Sequence, residues 1–336
     1  MELQHRLIRQ TINIAVSKAM EDMKSNTRRS IRNLIDLGLL FSTSENQKCF
    51  FDAAKKVITN PKNPYNSLVK RIISDVNNDT IKKVGLNLGY SSLIYGANKL
   101  KKRQDYFGGS LPWLLIFDVY ESGSDFFHQM EHFIREGRDM GIYSYIFCFH
   151  EASNIIALCE IAKRFDECLF VFKVFPDLIT DQTAEALSKL HNTMVSVQAT
   201  DASLTDESCL KAFHILKNNR CFYGFHTNYD ESTFSEATST EYVRRAISYG
   251  NIFGVYIAEK GVSASCRNAV HDFVCSIRGG AGLPLVTLEW SRDMEEISRK
   301  IGVPEGYRTI RPEGQSYDRH KKERAEPAAP LPKSSK

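Results

Sequence analysis

The segment "IFCFHEASN", residues 146–154, ends an apolar run in a histidine and a glutamate, His150 and Glu151. An imidazole that titrates near neutrality beside a carboxylate can relay a proton, hold a polar ligand or bind a metal. Other apolar runs break off in the same way. "TMVSVQA" carries Gln198, "CFYGFHTN" carries His226, Thr227 and Asn228, and "LPLVTLEW" carries Glu289. Asp118, Asp177 and Glu259 stand at equivalent points. From these come the candidate ligand-binding residues His150, Glu151, Gln198, His226, Asn228 and Glu289. Each has a plainer reading, because a buried strand must end in something polar and such residues often cap the next helix.

Specific chemistry is harder to assign. A metal centre built from His150, His226 and a glutamate would need those side chains to converge within bonding distance of one ion. Spacing does not supply that, so no metal ligand is expected. No serine–histidine–acid set follows from spacing, and "GFHTN" is unrelated to the Gly-x-Ser-x-Gly elbow. The glycine-rich "IRGGAG", residues 277–282, follows a helical stretch and opens a strand. A phosphate loop has the reverse order, so a helix C-cap and turn explain it better. No catalytic residue is assigned.

The elements that must position these residues alternate regularly from residue 111 onward. "WLLIFDVY", "IYSYIFCF", "CLFVFKVF", "TMVSVQA", "CFYGFHT", "IFGVYIA" and "LPLVTLEW" are apolar runs of strand length, each followed by a helical stretch. Nearly continuous apolar strands alternating with helices mark a parallel sheet covered on both faces. Seven such units favour a barrel, or most of one, and in such folds ligands sit at the carboxyl ends of the strands. Trp113 and Trp290, on the first and last runs, are expected to be buried. Residues 1–105 read instead as helices, with apolar residues such as Leu7, Ile8, Ile12 and Ala15 near helical spacing. The chain thus divides into a helical region (1–105), a barrel (106–310) and a tail (311–336). That tail is nearly free of large apolar residues and is expected to be disordered.

Composition narrows the class. The chain has 336 residues, 42% hydrophobic and 25% charged, with a formal net charge of +4. That charge gives no reason to expect nucleic acid, and the basic "KLKKRQ" at 99–104 reads as a solvated helix end. The longest apolar run, Leu111 to Phe117, is too short to span a bilayer, and no secretory signal is legible. The eight cysteines, at 49, 148, 159, 168, 209, 221, 266 and 275, lie at least nine residues apart and include no CxxC. Reduced thiols in a cytoplasmic protein are expected.

In order along the chain, these segments resemble the radical S-adenosylmethionine (radical SAM) superfamily, in particular a branch with a helical region ahead of the barrel. "REGRDMGIYSYIFCFHEAS", residues 135–153, is similar to that branch's "GKELGIYFYI" and the Gly-Gly-Glu-Pro strand end after it, with Glu151 at the family glutamate. "VFKVFPDLITDQ" resembles "VFTNGTLID", and "VSVQA" resembles "ISIEG", with Gln198 for the glutamate but keeping Ser196, which the resemblance adds to the candidate ligand-binding residues. The segments "FYGFHTNYDESTFSEATSTEYVRRAISYG" and "GLPLVTLEWSRD" also have counterparts, as does "DVNNDTIKKVGLNLGYSSLIYG" in the helical region. The likeness covers roughly residues 5–300. It implies a partial (β/α) barrel of the TIM type.

The departures bear on function. The family places a CxxxCxxC loop after the first strand, where three thiolates hold a four-iron cluster whose open iron binds S-adenosylmethionine. Here "LLIFDVYESGSDFF" runs from strand to helix, with no cysteine between Cys49 and Cys148. Phe149 and His150 replace the two glycines that admit the methionine moiety, and their side chains are expected to fill that space. The resemblance therefore implies a degenerate member with no cluster or cofactor, a binding or partner module. It would pair with a protein such as an active paralogue, or take a small-molecule ligand. The alternatives are an enzyme with a repurposed site at His150, Glu151 and His226, or a radical SAM enzyme that acquires its cluster differently.

Overall fold

The computed structural model describes residues 3–42, 45–107, 110–119, 124–200, 203–279, 282–310 and 316–317. Eight strands run parallel: β1 (Leu114–Val119), β2 (Ser144–Phe149), β3 (Leu169–Val174), β4 (Thr193–Gln198), β5 (Tyr223–Tyr229), β6 (Phe253–Ala258), β7 (Val286–Glu289) and β8 (Tyr307–Ile310). Their order is β7-β6-β5-β4-β3-β2-β1-β8, and β9 (Ser316–Tyr317) adds to β8 in the antiparallel sense. Among the described residues β7 and β8 do not pair, so the sheet curls without closing. The fold is a partial (β/α) barrel behind a helical region. β8 adds an eighth parallel strand to the seven expected. Disorder of the tail concerns residues that, β9 apart, lie outside those described.

Alternation along each strand separates two faces. Phe117, Tyr145, Phe147, Phe149, Phe170 and Phe172 are essentially inaccessible and stack on one another, as Phe147 does on Phe170 with centroids 5.5 Å apart. This face meets the helices. Phe117 lies against Phe133 of α6 (Ser124–Met140), Phe225 against Tyr242 of α11 (Thr240–Ser248), and Tyr256 against Phe273 of α12 (Ala264–Gly279). Between them α7 (Ala152–Arg164), α8 (Asp181–Ser188), α9 (Glu207–Asn218) and the short α10 (Phe234–Ala237) complete the layer. The hydrophobic core therefore sits outside the barrel, between strands and helices. The other face is concave, and its strand positions alternate into partial exposure.

The helical region consists of α1 (Leu3–Phe41), α2 (Glu45–Thr59), α3 (Tyr65–Asp75), α4 (Asn78–Gly85), an eleven-residue π-helical stretch (Leu86–Gly96) and α5 (Ala97–Phe107). It closes the amino ends of the strands. Arg71 donates to the carbonyls of Asn251 and Pro284, the Asn77 amide to that of Arg220, and Asn87 to those of Asp166 and Cys168. Ser92 shares a hydrogen bond with Ser144, Thr80 shares one with His191, and Lys83 pairs with Asp166. Every one of these partners begins or just precedes a strand from β2 to β7. Gly96 allows the approach, since a Cβ there would lie 2.4 Å from the Gly141 carbonyl. Below the concave face, Leu68, Ile72, Val76 and Ile81 pack with Met194, Phe222, Phe253 and Val255 as an apolar floor. Among the described residues no helix is long and apolar enough to cross a membrane.

Trp113 is buried at 5% exposure and donates its indole N–H to Ser298 Oγ at 3.0 Å. Trp290 differs from expectation. It opens α13 (Trp290–Ile301) after β7 has ended and is only half-buried, its ring tilted against Tyr307 at 5.2 Å.

Candidate functional site

Each of the first three strands carries a charged or thiol side chain near its carboxyl end, and strand register brings the three into line. Asp118 on β1 pairs with Cys148 on β2, Cys148 with Lys173 on β3, and Lys173 with Ser196 on β4. Ser196 in turn pairs with Gly224 on β5. A Cβ on Gly224 would lie 2.2 Å from the Phe253 carbonyl and 2.6 Å from its ring, so the absent side chain lets Phe253 lie across the floor. Side chains two residues further along each strand project on the same side. His150, Gln198 and His226 therefore form the next polar layer toward the carboxyl end, with Gln198 and His226 directly paired.

Two polar pairs cross between the layers, of which Ser196–His226 is hydrogen-bonded. On one side Asp118 Oδ1 lies 3.4 Å from His150 Nε2, both side chains partly exposed. On the other, Ser196 Oγ lies 3.1 Å from His226 Nδ1, with both residues buried. Burial holds the His226 imidazole well below its ordinary range; the nearby Lys173 charge pushes the same way, and the Ser196 bond opposes them. His226 is thus neutral at pH 7. Lys173 is half-buried, and among the described residues no carboxylate forms an ion pair with it. Asn228, further along β5, has a buried Oδ1 without a hydrogen-bond partner.

The candidates legible in the sequence thus divide. Ser196, Gln198, His226 and Asn228 line adjacent strands of the concave face, and His150 lies on the same face three strands from His226. His150 also packs on Phe175, ring centroids 5.8 Å apart. Glu151 is exposed at the N-cap of α7 and makes no capping bond with its side chain. Glu289 turns toward the helices and is fully buried. Its Oε1 accepts from the Tyr229 hydroxyl at 2.8 Å and its Oε2 from the Arg292 amide at 2.7 Å, capping α13. Phe149 also departs from expectation. It is 1% exposed and stacked on Phe172 at 5.2 Å on the helix side, so of the two glycine replacements only His150 faces the ligand side. Lys173 is the residue that strand-end reasoning leaves out, and Asp118 stands at a strand end in the sequence but outside the candidate set. The signal for Lys173 was a lone charge inside an apolar strand.

Thiol positions do not match an iron–sulfur cluster. β1 ends at Val119 and α6 begins at Ser124, and the four residues between, Tyr120 to Gly123, include no cysteine. Among the strand residues of the concave face, Cys148 is the one cysteine. Cys159, Cys168, Cys209 and Cys221 are buried elsewhere. Burial pushes the Cys159 and Cys221 thiols up to about 12 and raises that of Cys168 as well, which disfavours the thiolate a metal requires. Among the described residues, no three His, Cys, Asp or Glu side chains are grouped so as to hold a metal ion.

No protein-family model matches the chain. No curated protein matches it either. Solved structures do resemble it. SuiB of Streptococcus suis matches with a TM-score of 0.50 and 13% identity over 84% of this chain and 74% of that one. SuiB bound to its precursor peptide SuiA matches with a TM-score of 0.51 and 11% identity over 65% of this chain and 62% of SuiB. The chain thus spans less than two thirds of SuiB in that comparison. Likeness at these identities is likeness of fold.

Proposed function

We propose that this chain is a radical-SAM-like barrel without an iron–sulfur cluster, a non-catalytic module that binds a small molecule on its concave face. The observation that carries the reading is the four-residue, cysteine-free passage from β1 to α6. A cluster needs three converging thiolates at that point, and Cys148 alone is on the facing surface. The polar layer from Asp118 to His226 then offers hydrogen bonds to a ligand in place of cofactor chemistry. SuiB's complex with a precursor peptide supports a peptide or protein partner, such as an active paralogue, in addition.

A second reading, an enzyme with a repurposed site, draws on the Ser196–His226 pair, because a neutral imidazole bonded to a hydroxyl can accept a proton. Among the described residues no carboxylate bonds to His226 to orient it in the way such relays require. His150 is three strands away and Glu151 is exposed, so the histidines and glutamate named for that reading do not form one group.

Calorimetry with S-adenosylmethionine tests the proposal. The imidazole of His150 stands where backbone access to the methionine is needed, so no saturable heat is expected up to millimolar ligand. A Kd near about 1 μM, roughly −8 kcal/mol, would mean that the cofactor pocket survives.

A further inference from the structure

We infer that the concave face carries an anion site centred on Lys173, built for a small organic carboxylate. The inference rests on the reading of this face as a ligand surface and names what the surface takes.

Lys173 sits among apolar neighbours of β3, between Cys148 and Ser196 in the register. A half-buried lysine one residue from the end of a parallel strand, among apolar neighbours, usually has an acid partner. Lys173 has none among the described residues. Asp118, in the same register line, is two strands away and engaged with His150. The residues on the other side, Ser196, His226 and Gln198, are neutral hydrogen-bonding groups, and they leave the positive charge uncompensated. One cation flanked by neutral donors matches a singly charged carboxylate better than a doubly charged phosphate, which calls for more positive charge or a helix N-terminus. The apolar floor of Met194, Phe222, Phe253 and Val255 then suits a carbon skeleton attached to that carboxylate.

The test compares lactate with its neutral isostere lactamide, and both with inorganic phosphate, by calorimetry on the full chain. The His226 ring resonances, followed against pH, provide a second readout. Lactate should bind saturably and at least about tenfold more tightly than lactamide, a difference of about 1.4 kcal/mol. Bound lactate should raise the pH at which His226 titrates, because it neutralises the neighbouring Lys173 charge. Lys173→Met should lose lactate binding by about tenfold or more, while Lys173→Arg should retain it within about threefold. Equal binding of lactate and lactamide, or unchanged binding by Lys173→Met, would overturn the site, as would phosphate binding tighter than lactate. None of these results would touch the cluster-free reading, which stands or falls on iron content.

Discussion

Asp118 and His150 meet diagonally across the first two strands, carboxylate Oδ1 to imidazole Nε2 at 3.4 Å, at the mouth where β1 gives way to α6. Their side chains keep 20% and 29% exposure, so water screens the pair. Asp118→Asn should therefore change stability by no more than about 1 kcal/mol in chemical denaturation. A loss above about 2 kcal/mol would show that the pair holds the barrel mouth together.

The two tryptophans should respond unequally. Trp113→Ala removes a fully packed ring and its bond to Ser298, and should cost about 3–5 kcal/mol. Trp290 is half-buried at the start of a helix, so its alanine variant should cost about half as much or less. Equal losses in urea melts would contradict the placement of one of the two rings.

Stability should fall on mild acidification. His226 is held below its ordinary range by burial, and His5, stacked on Tyr95 at 3.6 Å, is lowered to about 4 by burial and by Arg9. Above pH 6.5 both histidines are neutral in folded and unfolded chains alike and contribute nothing. Below it the unfolded chain takes up protons that the folded one refuses, so each histidine removes up to about 1.4 kcal/mol per pH unit. For His5 this loss runs down to about pH 4, where the folded form also protonates. His226→Gln should make the fall between pH 6.5 and 5 shallower by about one proton. An unchanged slope would place His226 in water.

Most of the barrel was legible because β1 to β7 are apolar runs bounded by helical periods. β8 was not, since "YRTI" carries an arginine and a threonine and pairs through its backbone with β1. Reading strand ends found Gln198 and His226 but passed over Lys173, whose position one layer earlier matters only once the register is known. It also included Glu289, because a four-residue strand gives no sign of which face its last side chain takes. Phe149 makes the same point: period-2 alternation sends it to the helices and His150 to the mouth.

Thiol reactivity should follow burial. Cys49 and Cys275 are exposed and should react at once with a disulfide reagent in the native protein. Cys159, Cys168, Cys209 and Cys221 should react only on unfolding, because buried neutral thiols are poor nucleophiles. Immediate labelling of those four would mean that the helical layer opens readily.

Iron content after anaerobic reconstitution tests the central claim most directly. The chain, incubated with iron and sulfide and then desalted, should remain colourless and hold far less than one iron per molecule, because its thiols do not converge. About four irons per chain, with the visible absorbance of a cluster, would contradict the account.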